Sequence, residues 1–151
     1  MTPTEPLPLH HSWSLSELDQ KLDMGRLLDG QEWHQPVDAS PVPRNFGRWA
    51  CDLADNALVW SPQVYRLFGL PEDRAVVRGA TIALYAERSR AALERLRAYA
   101  IRHRRGFTLD VAIRPVGDRE RWIRIVAAPV SEDGQVVRLR GCKMDVSALY
   151  R

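Results

Sequence analysis

The chain is poor in several things, and each shortage narrows what it can be. Of 151 residues two are cysteine, Cys51 and Cys142. They are too few and too far apart for a disulfide framework or a metal cluster, and they read as small buried apolar residues. No apolar run approaches the roughly 18 residues that a membrane-spanning helix requires. The N-terminus, MTPTEPLPLHHSW, has neither a basic start nor an apolar stretch, so it is no secretory signal, and a cytoplasmic location is the default expectation. No nucleophile elbow, Walker loop or zinc-ligand pair occurs. No catalytic residue and no metal ligand is therefore assigned, and the chain reads as a protein that is not an enzyme. Lysine is scarce as well: of 22 basic residues, Lys21 and Lys143 alone are not arginine.

What is present divides by charge. Residues 1–46 carry seven acids against Lys21, Arg26 and Arg44, a net of −4, so the remainder is +7 against a whole-chain charge of +3. The sign changes near Pro41–Arg44, where PVPR reads as a linker. This gives an N-terminal extension, 1–44, and one domain, 45–151. Pro3, Pro6 and Pro8 bar a regular helix from the first dozen residues, which are expected to be mobile or laid along a surface. Ser14 and Glu17 are then spaced as a capping box, with Trp13 and Leu18 at the positions of a hydrophobic staple. A helix is expected from there, with Leu15, Leu18 and Leu22 as its apolar stripe and Gly25 or Gly30 as its end. Such a stripe lies on something. It is either a packing appendage or an interaction helix, the acidic extension resting on the basic domain of its own protomer or of a homodimer partner.

The most heavily punctuated stretch is GRWACDLADNALVWSPQVYRLFGLP, residues 47–71. Trp49, Cys51 and Leu53 alternate in a first strand, and a second runs Ala57–Trp60. Between them Asp55-Asn56 tolerates the left-handed turn of a hairpin. Ser61-Pro62 offers an N-cap and a proline at the first helical position, and Gly69 with Pro71 ends that short helix, which presents Val64, Leu67 and Phe68 with Tyr65 beside them. A longer helix is expected over about Ser89–Arg104, with Ala92, Leu96, Tyr99 and His103 on one face and Gly106 as its stop. Phe107–Arg114 alternates strictly, Arg121–Val130 follows, and Asp133-Gly134 turns the chain into a last strand over Val136–Val146. Two strands, a helical middle and three strands make an α+β order: a five-stranded antiparallel sheet with helices on one face, plus the N-terminal helical extension.

Four pieces, GRWACDL at 47–53, VWSPQVYRLFGLP at 59–71, GDRERWIRI at 117–125 and RGCKMDVS at 140–147, carry a family likeness. Over about residues 45–148 the sequence resembles a PAS domain of the subgroup common in bacterial sensor kinases and signalling proteins. The resemblance implies signal transduction, a cleft between helices and sheet for a small ligand or an apolar plug, and an output signature at the end of the last strand, here Asp145-Val146-Ser147. It implies a signalling partner such as a histidine kinase or another regulator. Because the sequence stops at Arg151, that partner is expected to be a separate molecule, unless the chain is an excised fragment. One departure is Leu84–Arg88, which stands without proline where the family often has a His-Pro-Glu-Asp-like segment.

Against this likeness, Trp49, Trp60, Tyr65, Phe68, Tyr85 and Trp122 are the candidate cleft residues; plain core is the alternative for each. No cofactor is assigned. Some PAS domains bind haem through a histidine on the long helix, and His103 is on that helix's expected apolar face, yet it stands at the helix's end, where the dipole alone favours a histidine. Neither cysteine lies in the Asn-Cys-Arg-Phe-Leu-Gln segment of flavin photoreceptors, although non-covalent flavin stays open. From Arg88 to Arg124 there are eleven arginines, enough to raise nucleic-acid binding, but they are scattered over a helix and two strands. A solvated or acid-facing surface is the better reading.

Overall fold

Alternation, turn residues and proline placement produce the elements in the expected order in the computed structural model, which describes residues 10–18 and 46–150. In chain order these are β1 (His10–Trp13), β2 (Phe46–Asp52), β3 (Ala57–Trp60), α1 (Pro62–Phe68), β4 (Val76–Val77), α2 (Arg78–Thr81), α3 (Glu87–His103), β5 (Gly106–Ile113), β6 (Arg121–Glu132) and β7 (Gln135–Asp145). Single 3-10 turns stand at Leu15–Glu17, Ile82–Leu84 and Ser147–Tyr150. The sheet is antiparallel throughout, in the order β1-β5-β6-β7-β2-β3-β4.

Turn chemistry fixes two of the hairpins. Asn56 adopts φ 58° between β2 and β3, while Asp133 (φ 51°) and Gly134 (φ 78°) form the two-residue turn from β6 to β7. Ser61 caps α1 by backbone geometry, but its hydroxyl serves elsewhere: it accepts from the Arg48 N–H at 3.0 Å, and the Ser61 N–H donates to the Arg48 carbonyl at 3.0 Å. The start of α1 is thereby stitched to β2.

Two expectations about the elements need correction. The sheet has seven strands rather than five. Val76–Val77 extends one edge beside β3, and His10–Trp13 covers the other edge beside β5. The second addition has a clear cause: an uncovered β5 would present a row of unpaired backbone groups. The helix expected from Ser14 falls mostly outside the described residues, which show its opening 3-10 turn and Leu18 in helical conformation beyond it. Its capping box forms, the Ser14 N–H donating to Glu17 Oε2 at 3.3 Å. Leu15 is exposed, Leu18 packs beside Trp13, and Leu22 lies outside the described residues. Gly106 does not stop α3 either. Arg104 does so in the left-handed conformation, φ 54°. Gly106 is glycine because the Trp13 indole lies directly over it: a Cβ there would sit 2.3 Å from the ring.

The buried face of α3 is also turned from the expected one. Ser89, Ala92, Leu93 and Ala100 are buried, whereas Tyr99 and His103 stack on each other in solvent, ring centroids 4.3 Å apart. Small alanine and serine side chains let the helix backbone approach the sheet. Of the expected face, Ala92 and Leu96 do pack on the core, and a count weighted toward bulky residues wrongly continues it to Tyr99 and His103.

The main core lies between the helices and one face of the sheet, from Trp49, Phe107, Ile113, Ile123, Ile125 and Leu139 to Val64, Phe68, Tyr85 and Leu93. The opposite face carries two smaller clusters. One holds Trp13, Val126, Ala128 and Cys142; the other holds Ala112, Trp122 and Val146 with Tyr150 against them.

Candidate functional site

Strand phase decides which side chains face the helices. In β7 the inward positions run Leu139, Gly141, Lys143, so the strand that is otherwise studded with outward arginines directs a lysine into the core. Lys143 is 5% exposed. Its Nζ donates to the Tyr85 hydroxyl at 3.0 Å. The rings of Trp49, Trp60, Phe68 and Tyr85 surround it, with centroids 5.1, 5.4, 5.1 and 5.8 Å away, distances at which an ammonium is drawn to aromatic faces. No carboxylate among the described residues pairs with it. Burial pulls its pKa down from 10.5 to about 7, since desolvation disfavours the charged form.

Beside this box lies a cavity of about 40 Å³, lined by Trp49, Leu58, Ile82, Phe107 and other apolar groups and by Cys51, Thr81, Tyr85 and three cations, Arg78, Arg97 and Lys143. Among the described residues none of its lining is acidic. Arg78 is ion-paired with Glu94, and Arg97 donates to Asn56 Oδ1 at 3.1 Å. Burial raises the Cys51 thiol pKa, an effect that Arg97, Arg78 and Lys143 partly offset.

Of the six aromatic residues expected in a cleft, Trp49 and Tyr85 line the cavity, and Trp60 and Phe68 stand behind Lys143, stacked 4.8 Å apart. Tyr65 meets Trp60 edge-on, its hydroxyl donating to the Arg74 carbonyl at 2.7 Å. Trp122 is the exception. One residue out of phase with Ile123, it projects from the other sheet face and stacks on Tyr150 at 4.2 Å.

The segment Asp145-Val146-Ser147 lies at that same place. Asp145 Oδ1 accepts from the Ser147 N–H at 2.8 Å, the Val146 N–H donates to the Trp122 carbonyl at 2.8 Å, and Ser147 Oγ accepts from the Trp122 N–H at 3.0 Å. The end of β7 is thus fastened to the start of β6. Leu84–Arg88, despite its missing proline, is held by Arg114 N–H donating to the Leu84 carbonyl at 2.7 Å and Ala86 N–H to the Ala112 carbonyl at 2.9 Å.

Lys143, Arg78 and Arg97 were not singled out by pattern. A signal existed for the first: in a chain that uses arginine almost everywhere, a lysine sits at an inward phase of a strand. The two arginines reach the cavity from α2 and α3, which no local pattern relates to β7. His103 faces solvent, and both cysteines lie on strands, Cys51 at the cavity and Cys142 on the opposite face of the sheet. No group of His, Cys, Asp and Glu among the described residues is placed to hold a metal ion. No described helix is long and apolar enough to cross a membrane.

A twisted antiparallel sheet with its helices gathered over one face, enclosing a small cavity, is the fold of a PAS domain. Solved structures agree. The N-terminal domain of a diguanylate cyclase with PAS/PAC sensor from Marinobacter aquaeolei superposes with a TM-score of 0.63 at 19% identity, covering 69% of this chain and 97% of that one. A sensory box histidine kinase/response regulator from Burkholderia thailandensis E264 gives 0.60 at 20% identity, with 70% and 80% covered. An RNA-binding light-oxygen-voltage receptor gives 0.61 at 17% identity over 71% of this chain, which spans 31% of the receptor's length. No family profile and no curated protein sequence matches this chain.

Proposed function

We propose that this protein is a non-catalytic sensor and protein-interaction module of a bacterial, cytoplasmic signalling system, which holds a small ligand and acts on a separate partner such as a histidine kinase or another regulator. The observation that carries this is positional. Lys143, at the wall of the cavity, is two residues from Asp145 on the same strand, and Asp145-Val146-Ser147 is bonded to Trp122 on the far face of the sheet. A change of cavity contents displaces the inner end of β7, and the hydrogen bonds at Trp122 pass the displacement to Ser147–Tyr150. Dimerisation through the N-terminal extension belongs to the same reading.

The test is native mass spectrometry of freshly purified full-length protein, followed by hydrogen exchange with and without whatever co-purifies or is found by thermal-shift screening. Occupancy is expected to change exchange at residues 145–150. A saturating cavity ligand that leaves those amides unaltered would overturn the reading, and so would failure of any small molecule to shift the melting temperature.

A further inference from the structure

Lysine is an expensive residue for an inward position in a sheet. Methionine or leucine would fill the space without desolvating an amine. Lys143 is surrounded by rings, donates to the Tyr85 hydroxyl, and abuts a cavity that also receives Arg78 and Arg97 and, among the described residues, no acidic side chain. Glu94 answers the charge of Arg78, and Asn56 gives Arg97 a neutral partner. Among the described residues the lining of the cavity is therefore electropositive and supplies no anion.

Resting on the reading of the protein as a ligand-holding sensor, we propose that the ligand is a small aliphatic carboxylate, its carboxyl group held by Lys143 with Arg97 and the Tyr85 hydroxyl, its carbons against Leu58, Ile82 and Phe107. Size sets the upper limit. A cavity of about 40 Å³ has room for about three water positions, which corresponds to about four to six bonded non-hydrogen atoms, the size of acetate or propionate. The apolar walls select a carboxylate with a hydrocarbon tail over an inorganic oxyanion, since phosphate would place oxygens against Leu58 and Ile82 with no donor to meet them.

Binding is coupled to protonation. The groups facing Lys143 are the Tyr85 hydroxyl, the Cys51 thiol of β2, and the guanidinium groups of Arg78 and Arg97, so an entering carboxylate is the group that restores the ammonium. Above neutral pH the complex takes up a proton from solvent.

The experiment is isothermal titration of the full chain with propionate, with propionamide as the neutral isostere and phosphate as the carbon-free oxyanion, in chloride buffers of differing ionisation enthalpy at pH 8. Propionate binds with proton uptake and the amide and phosphate do not; Lys143→Met loses about tenfold or more in affinity and all the proton uptake. The Met variant replaces a buried charge with an apolar chain of similar length and is expected to fold. Should it fail to do so, Arg97→Gln supplies the same reading, with affinity reduced. Equal binding of the amide, equal binding of phosphate, or undiminished propionate affinity in a folded variant would each overturn the carboxylate assignment. A different ligand recovered by native mass spectrometry would overturn it while leaving the sensor reading intact.

Discussion

The hydroxyl of Tyr150 donates a 2.6 Å hydrogen bond to Oδ2 of Asp110, forty positions earlier in the chain. Asp110 is 1% exposed, and Arg124 grips both of its oxygens at 2.8 and 3.0 Å. One buried carboxylate therefore joins β5, β6 and the C-terminal turn. Tyr150→Phe removes a hydrogen bond to a charged acceptor and should cost about 1.5–3 kcal/mol at most, expressed mainly as faster amide exchange at residues 147–150. Asp110→Asn disturbs Arg124 as well and should cost more, about 2–4 kcal/mol, seen in urea denaturation. A double variant no worse than Asp110→Asn alone would show that the two act through one contact.

Lys143 gives stability a pH dependence of definite sign. Its folded pKa is about 7 and its ordinary value 10.5. Between these the unfolded chain binds a proton that the folded chain does not, so stability rises with pH from about 7 upward, by at most ~1.4 kcal/mol per unit. Below about 7 both states are protonated and the slope disappears. Above pH 9 the thiols of Cys51 and Cys142, held protonated by burial, act in the opposite direction. Denaturation in carboxylate-free buffers at pH 6 to 9 should show this rise in the native protein and a flat line in Lys143→Met, which should be the more stable of the two at pH 6.

Gly106→Ala places a methyl group inside the van der Waals radius of Trp13. Either the indole leaves its pocket or β5 bends, and overpacking of this kind costs about 1–3 kcal/mol. Trp13→Ala empties the pocket and should cost about 3–5 kcal/mol. In both variants the change should appear as exposure of residues 10–13 to proteolysis, with the helix-side core retained. Unchanged protection of that strand would contradict the packing described.

The cysteines should differ in reactivity although both are buried. Burial alone raises the Cys142 thiol, to about 12, whereas cations beside the cavity temper the effect at Cys51. With a disulfide reagent at pH 8, native protein should react slowly at both, and first at Cys51. Propionate should slow Cys51 further and leave Cys142 unaffected. Faster labelling of Cys142 would contradict this order.

Much of the sheet was legible because its signals are local. Strict alternation marked β5, Asp133-Gly134 and Asp55-Asn56 marked the hairpins, and Ser61-Pro62 with Gly69 bounded α1 within a residue. The face of α3 was read correctly at Ala92 and Leu96 but not at Tyr99 and His103, because the approach of a helix to a sheet is limited by its smallest residues, and periodicity counted the largest. Trp122 was misplaced among the cleft residues because aromatic character does not report strand phase. The N-terminal strand was missed because pairing with an edge 95 residues away, seen in the bond from Trp13 Nε1 to Thr108, leaves no mark in the neighbouring sequence.

By itself the sequence determined the order of elements, the turns between them and the likeness to a sensor domain, since these depend on periods of two and 3.6 residues and on backbone preferences at Gly, Pro, Asp and Asn. The tertiary structure alone decided the site. Arg78, Tyr85, Arg97 and Lys143 come from four segments, α2, the turn before α3, α3 and β7, and only the folding of the first three over β7 brings three cations and a phenol around one small apolar space. That convergence depends on desolvation and packing between distant residues, which no local pattern records.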